Sequence, residues 1–249
     1  MSVGYLPIEY SSFSCAVLPN RPSMICKLFV LSSCMNLKLT SQTLSVAGRQ
    51  ITIDLPADPE EMLQQAWAGE TAGDSNWDPY WGLLWAAAPK TAELLLRESW
   101  PGPLKSMEIG CGVGLTGIAG LMAGLSVTFA DHAPNAVAMA QTNALKNGFC
   151  DVDGRVFDWN DPPDEKFEFI FGSDILYDSA GHLPLLRTLD AMLGLHGQVW
   201  IGDVGRTNAP AFVKKAEQAG WKIDIRRETG ESVAQPLHLQ FRLLIMIRR

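Results

Sequence analysis

Two short runs near the start of the ordered pattern, Leu37-Lys38-Leu39-Thr40 and Gln50-Ile51-Thr52-Ile53-Asp54-Leu55, alternate apolar and polar residues on either side of Gly48. A period of two turns one side of a strand to a core and the other to water, so this segment predicts a β-hairpin. Pro59-Glu60-Glu61 then predicts a short helix through Ala68, its acidic residues at the positive end of the helix dipole. Gly69 to Asp78 is polar and reads as a loop. Tyr80 to Leu96 is apolar around most of its circumference and helical in character, with Pro89 predicting a kink or a restart.

After that the chain alternates between strand and helix patterns. The predicted strands are Ser106–Ile109, Ser126–Ala130, Gly154–Phe157, Phe167–Ser173, Gln198–Gly202, Trp221–Arg226 and Leu239–Ile247. The predicted helices between them are Leu115–Ala123, Pro134–Asn147, His182–Leu193 and Ala209–Ala219. Pro134 suits a first helical turn, and Gly148, Gly194 and Gly220 are placed as helix-terminating glycines. Strands separated by helices predict an α/β fold with a mainly parallel sheet covered on both faces. Only the polar stretch Glu228 to Gln235 joins the last two strands, too little for a helical crossover, so an antiparallel pair is expected there. Gly205 to Asn208 reads as a loop rather than a linker, and no internal repeat appears.

The first 34 residues differ from the rest. They hold three of the five cysteines and sustain no period. Leu31-Ser32-Ser33-Cys34 has the small-residue spelling of a lipoprotein signal, but the apolar core Leu28 to Leu31 falls short of the roughly 7–15 residues such a signal needs. The expected organisation is an extension over residues 1–34, loose or preceding a true start at Met35, and one domain over residues 35–249.

Composition narrows the function. With 249 residues, 47% hydrophobic and 19% charged, the body of the chain can fill one sizeable core and is not a disordered segment. No run of about 18 apolar residues exists, so no membrane span is expected. The net charge of −7, with 20 scattered basic residues, argues against binding nucleic acid through its phosphates. Five cysteines without CxxC spacing and four histidines without paired ligand spacing leave no visible metal site. Reduced thiols in the cytoplasm are the simplest reading.

Candidate chemistry begins at Glu108-Ile109-Gly110-Cys111-Gly112-Val113-Gly114, which leaves a predicted strand and opens a predicted helix. Glycines there let a ligand approach the backbone, and the helix N-terminus offers free N–H groups. Asp131 ends the next strand about twenty residues on, where a carboxylate can accept both hydroxyls of a ribose. Gly112-Val113-Gly114-Leu115-Thr116-Gly117 also spells GxGxxG, so a nicotinamide dinucleotide stands beside S-adenosylmethionine on spelling alone. Two features favour the latter: the acidic Glu108 just before the glycines, and the compatibility of a positively charged sulfonium with nearby carboxylates.

These residues, together with Asp158-Trp159 after the third strand and Ser173-Asp174-Ile175-Leu176-Tyr177 after the fourth, resemble class I seven-strand methyltransferases. Trp85-Ala86-Ala87, the Pro79-Tyr80-Trp81 lead-in and the Asp-x-x-Tyr element are more narrowly similar to the family-16 branch, which includes protein lysine methyltransferases and nicotinamide N-methyltransferase-like proteins. The resemblance spans about Asn36 to the C-terminus. It implies a Rossmann-like doubly wound sheet of strand order 3-2-1-4-5-7-6 with strand seven antiparallel, behind the N-terminal hairpin and helix. It implies S-adenosyl-L-methionine as cofactor. Glu108, Gly110, Cys111 and Gly112 would form the cofactor loop, with Cys111 contributing backbone only. Trp85 would lie near the methionine end, Asp131 would hold the ribose, Trp159 would pack on adenine, and Ser173 would line the pocket by its backbone. Cys111 and Val113 stand where the family commonly has Ala and Thr.

Asp174 and Tyr177 are the expected acceptor residues. Asp174 ends an almost wholly apolar strand at the carboxyl edge, where open α/β sheets bind ligands, although an aspartate there also suits a turn or helix cap. Its expected role is to hold an amine in line with the methyl–sulfur bond, because alignment contributes much of the catalysis of a displacement. A normal carboxylate, pKa near 3.9, is a poor acceptor for an ammonium proton of pKa near 10.4, so Asp174 is expected to position rather than to act as base. Arg206 stands equally well as a rim residue or a solvated loop arginine, and His132 as an adenosine contact or a plain strand-end histidine. The expected function is S-adenosylmethionine-dependent N-methylation of a protein lysine by a monomer. The alternatives are a small-molecule amine methyltransferase, a non-catalytic cofactor-binding protein on the same fold, and a nucleotide-dependent oxidoreductase.

Overall fold

The computed structural model describes residues 38–58, 62, 64, 79–234 and 239–248. The extension 1–34, most of the helix expected over 59–68 and the whole of the 69–78 loop lie outside the described residues.

The chain opens with a hairpin, β1 (Leu39–Val46) and β2 (Arg49–Pro56), closed by a two-residue Ala47-Gly48 turn. A 3-10 turn (Pro79–Gly82) leads to α1 (Ala87–Arg97). The anticipated restart therefore falls before Pro89, which lies in the first turn of α1, where its missing N–H leaves no bond unmade. β3 (Lys105–Ile109), α2 (Leu115–Met122), β4 (Ser126–Asp131), α3 (Pro134–Lys146), β5 (Asp153–Val156) and β6 (Phe167–Ser173) follow. The chain continues through α4 (His182–Met192), β7 (Leu193–Asp203), α5 (Ala209–Gln218), β8 (Trp221–Arg226), β9 (Ser232–Val233) and β10 (Arg242–Arg248).

The main sheet runs β5-β4-β3-β6-β7-β10-β8-β9. β5, β4, β3, β6 and β7 are parallel, and β10 inserts antiparallel between β7 and β8. This is the expected 3-2-1-4-5-7-6 order, extended by the short β9 on the outer edge of β8. Gly148 and Gly220 follow their helices in the left-handed region, as anticipated. Gly194 does not: α4 passes directly into β7, and Gly194 is a strand residue whose added Cβ would press on the Phe167 carbonyl.

Alternation along the strands builds two cores. Phe169 and Phe171 face one side with Phe129 and Trp200, beneath α1, α2, α3 and the hairpin. Ile170 faces the other side with Met107, Ile109 and Ile201, beneath α4 and α5. Trp100 closes the first core against Phe169 and Trp200, with ring centroids 4.7 and 5.3 Å away. Asn143 on α3 and Asn147 just past its end, one helical turn apart, dock the hairpin by imitating a neighbouring strand. Their amides exchange hydrogen bonds with the β2 backbone at Asp54 and Thr52, at 2.6–3.1 Å. Because the central strands are parallel, their carboxyl ends share one edge of the sheet.

Candidate active site

The segments leaving that edge enclose a cavity of about 610 Å³, walled by the glycine loop after β3, Asp131, the loop after β5, the segment after β6 and Arg206 after β7. The 3-10 turn and Trp85 close it from above the sheet edge.

At one end the wall is backbone. Gly110 and Gly112 have φ of +66° and +49°. A Cβ on Gly110 would stand 2.6 Å from Ile175 Cγ2, and one on Gly112 would stand 3.0 Å from the Trp81 carbonyl oxygen. Left-handed backbone and close packing on both sides leave only glycine unstrained here. Asp131 holds this loop in shape. Its Oδ2 accepts the Gly112 N–H (3.1 Å) and its Oδ1 accepts the Ala133 N–H (3.0 Å), with His132 Nδ1 3.2 Å away. Each carboxylate oxygen has a second lone pair, so Asp131 can still receive two vicinal hydroxyls.

Glu108 and Cys111 are not on the cavity wall. Both are buried, and burial pushes the Glu108 carboxyl well above the ordinary carboxylate range, against the opposing pull of the Gly117 N–H and the Thr116 hydroxyl. Burial, with Asp131 and Glu108 adding, likewise raises the Cys111 thiol, so it is not a reactive thiolate. Gly110, Gly112, Asp131, Trp159, Ser173 and Trp85 do line the cavity. The Ser173 hydroxyl lies 3.2 Å from that of Thr116. Trp159 is half-buried beside Gly181, and its carbonyl accepts the Thr188 hydroxyl at 2.8 Å.

At the other end the wall is made of side chains. Asp174 leaves β6 in the left-handed region, φ +58°, with its N–H donating to the Gly202 carbonyl at 2.8 Å. Its side chain is buried. Oδ2 accepts the Ala87 N–H at 2.7 Å, so Asp174 caps the start of α1 across the fold rather than its own helix. Oδ1 accepts Arg206 Nη2 at 3.1 Å. Burial raises the Asp174 pKa from its ordinary value, opposed by the Ala87 N–H and by Arg206. Tyr177 is 49% exposed at the rim, and its carbonyl accepts Asn208 Nδ2 at 2.9 Å. Trp85 is not a core residue: it is 36% exposed, donates its indole N–H to the Tyr80 carbonyl (2.9 Å) and lies 5.5 Å beneath the Arg206 guanidinium.

Sequence reasoning left the role of Arg206 open, and it missed the Asp203–Arg242 pair. Asp203 Oδ1 accepts Arg242 Nε and the N–H groups of Gly205 and Arg206, each at 2.9 Å. Arg242 also donates to the Arg206 carbonyl at 2.5 Å. The signal for this pair was an arginine opening the apolar run Leu243 to Ile247. Among the described residues no group of His, Cys, Asp or Glu could hold a metal, and no helix is long and apolar enough to cross a membrane.

The same fold occurs in methyltransferases. The ribosomal protein L11 methylase of Lactobacillus delbrueckii subsp. bulgaricus superposes with a TM-score of 0.52 at 25% identity, over 64% of this chain and 77% of that one. The magnesium protoporphyrin IX methyltransferase of Synechocystis PCC 6803, solved with bound S-adenosylmethionine, superposes with a TM-score of 0.51 at 16% identity, over 78% of this chain and 99% of that one. In sequence, the electron transfer flavoprotein β subunit lysine methyltransferase of Danio rerio is 31% identical over 136 residues, 52% of this chain and 51% of the relative. The chain thus spans about half the length of that curated relative. The family model described as lysine methyltransferase matches residues 80–219, and the chain belongs to that family.

Proposed function

We propose that the chain is an S-adenosylmethionine-dependent N-methyltransferase that acts on a lysine side chain of a protein. The observation that carries this reading is the two-ended cavity. A glycine backbone loop pinned by Asp131 lies at one end, and Asp174 with Tyr177 at the other. The glycine cradle, closed to any Cβ, and the ribose-competent Asp131 fit the cofactor. Gly110, Gly112, Asp131, Trp159 and Ser173 would hold it, and when bound it supplies a methyl group on a positively charged sulfur.

The residues of the chain do the rest. Trp159 offers a flat face for a purine, worth about 1 kcal/mol beyond its area. Asp174 is already bonded once on each oxygen and retains a free lone pair on each. A neutral amine that donates an N–H to one of these points its own lone pair away from the carboxylate. A lysine amine must lose its proton before it attacks, a cost of about 4 kcal/mol near neutral pH. Asp174 is suited to holding the amine, and bulk water at the open rim by Tyr177 to receiving the proton.

The net charge of −7 favours encounter with a basic protein surface. We place the protein in the cytoplasm as a monomer, with no nucleic-acid partner, and its catalytic domain over residues 35–249. The test is incubation of the purified chain with a native lysate and tritiated cofactor. Label recovered as methyl-lysine on a protein band supports the reading. Label confined to the small-molecule fraction replaces it with the small-amine alternative.

A further inference from the structure

Asp174 and the face of Trp85 are a carboxylate and an aromatic ring turned to the same space, the composition of a site for an alkylammonium ion. The chain fills that position with its own cation. The Arg206 guanidinium is 3.1 Å from Asp174 Oδ1 and 5.5 Å over the Trp85 ring. It is only about a quarter exposed. It is held from behind as well: Asp203 accepts its backbone N–H, and Arg242 donates to its carbonyl. Asp174, Asp203, Arg206 and Arg242 make a cluster of two negative and two positive charges, hence neutral.

The geometry points to Arg206 as the residue that makes the acceptor end select an amine in its neutral, nucleophilic form. This rests on the proposed N-methylation. An unpaired buried carboxylate beside the amine would hold the ammonium form, which has no lone pair to attack with. Arg206 cancels that field while leaving a lone pair on each Asp174 oxygen for orientation. In the transfer, the amine nitrogen forms a bond to the methyl carbon, the carbon–sulfur bond breaks with its electron pair left on sulfur, and the proton on nitrogen leaves to water. Arg206 acts before that step, through Asp174, and is a positioning residue.

Other charges facing the cavity are unchanged by replacing Arg206. Asp178 and Tyr177 belong to the segment after β6, Asp158 to the loop after β5. Tyr80 comes from the 3-10 turn, and Asp131 with His132 from the end of β4. They offset the whole pH profile equally in wild type and variants, so the comparison isolates the Arg206 charge.

The experiment has two readouts. One is the pH dependence of kcat for transfer to a lysine-containing acceptor. The other is calorimetric binding of n-butylammonium to the cofactor-free chain at neutral pH. Arg206→Gln is expected to move the ascending limb of kcat toward alkaline pH by about one unit and to tighten n-butylammonium about tenfold. Arg206→Lys keeps the charge and is expected to match wild type in both. Asp174→Asn with Arg206→Gln removes one charge of each sign and is expected to bind n-butylammonium no better than wild type. Wild-type profiles and wild-type ammonium affinity in Arg206→Gln overturn the inference. Where Arg206→Gln does not fold, as read by circular dichroism, Asp174→Asn alone tests the balance from the other side. Its unpaired guanidinium must weaken n-butylammonium, and unchanged binding overturns the inference. If wild type methylates no amine at all, the functional proposal fails, while ammonium binding still decides the charge assignment.

Discussion

The two ends of the cavity are built on different plans. The glycine end is local and made of backbone: Gly110 to Gly114 leave β3, enter α2, and are tied to Asp131 on the adjacent strand. The Asp174 end is assembled from side chains far apart in sequence. Asp174 meets the N–H of a residue 87 positions before it and the guanidinium of a residue 32 positions after it. A backbone cradle closed to any Cβ has one fixed shape, which suits a ligand of constant shape. A side-chain network can be altered one residue at a time, which suits an acceptor that differs between relatives.

Perturbing each end separately should therefore give different signatures. The largest effect is expected from Asp174→Ala, which removes both the proposed anchor for the amine and the cap on α1. Turnover should fall about a thousandfold, near 4 kcal/mol of barrier, with cofactor affinity held within a few fold by calorimetry. Equal losses of both would erase the distinction between the ends. Next is Arg242→Met, which leaves the buried Asp203 with only the more distant Arg206 guanidinium, its Nε 4.0 Å from Oδ2. Chemical denaturation should show a loss of about 3 kcal/mol or more, with turnover falling further than the folded fraction because Arg206 loses its support from behind.

Gly112→Val should act at the opposite end. It forces a β-branched residue to φ +49° against the Trp81 carbonyl, at about 1–2 kcal/mol of strain. Cofactor affinity should weaken by roughly tenfold, while the acceptor KM, measured at saturating cofactor, stays put.

The smallest effect is expected from Glu108→Gln. Burial raises the Glu108 pKa in the folded chain, so between its unfolded value near 4.3 and its folded value the native state binds more protons than the unfolded state. The linkage sign is then negative: stability falls as pH rises through that window and recovers as pH falls. Melting temperatures measured across the window should show this slope in wild type and lose it in Glu108→Gln. A wild-type slope that persists in the variant would move its source elsewhere.

Legibility in the sequence followed the same division. The central parallel strands were readable because they are largely buried apolar runs, and Phe167–Ser173 was placed to the residue. The glycine loop and Asp131 were readable because their spacing is set by one strand–helix–strand unit. Glu108 and Cys111 were attached to that loop by resemblance, yet Glu108 on β3 and Cys111 just past it are both buried behind the wall. Trp85 sits in an apolar run, and only the structure sets its ring face beneath Arg206. Gly194 was misread because nothing local distinguishes a helix-ending glycine from one that opens a strand.

The sequence by itself determined the α/β alternation, the cofactor-loop spelling and the strand-end acids, since these depend on periods of two and 3.6 and on backbone freedom within a few residues. Only the tertiary structure decided which charges meet. Asp174, Arg206, Asp203 and Arg242 come from the ends of β6, β7 and β10, which are neighbours in the sheet although β8 and β9 separate β10 from β7 along the chain, and pairing between them is set by distance in space.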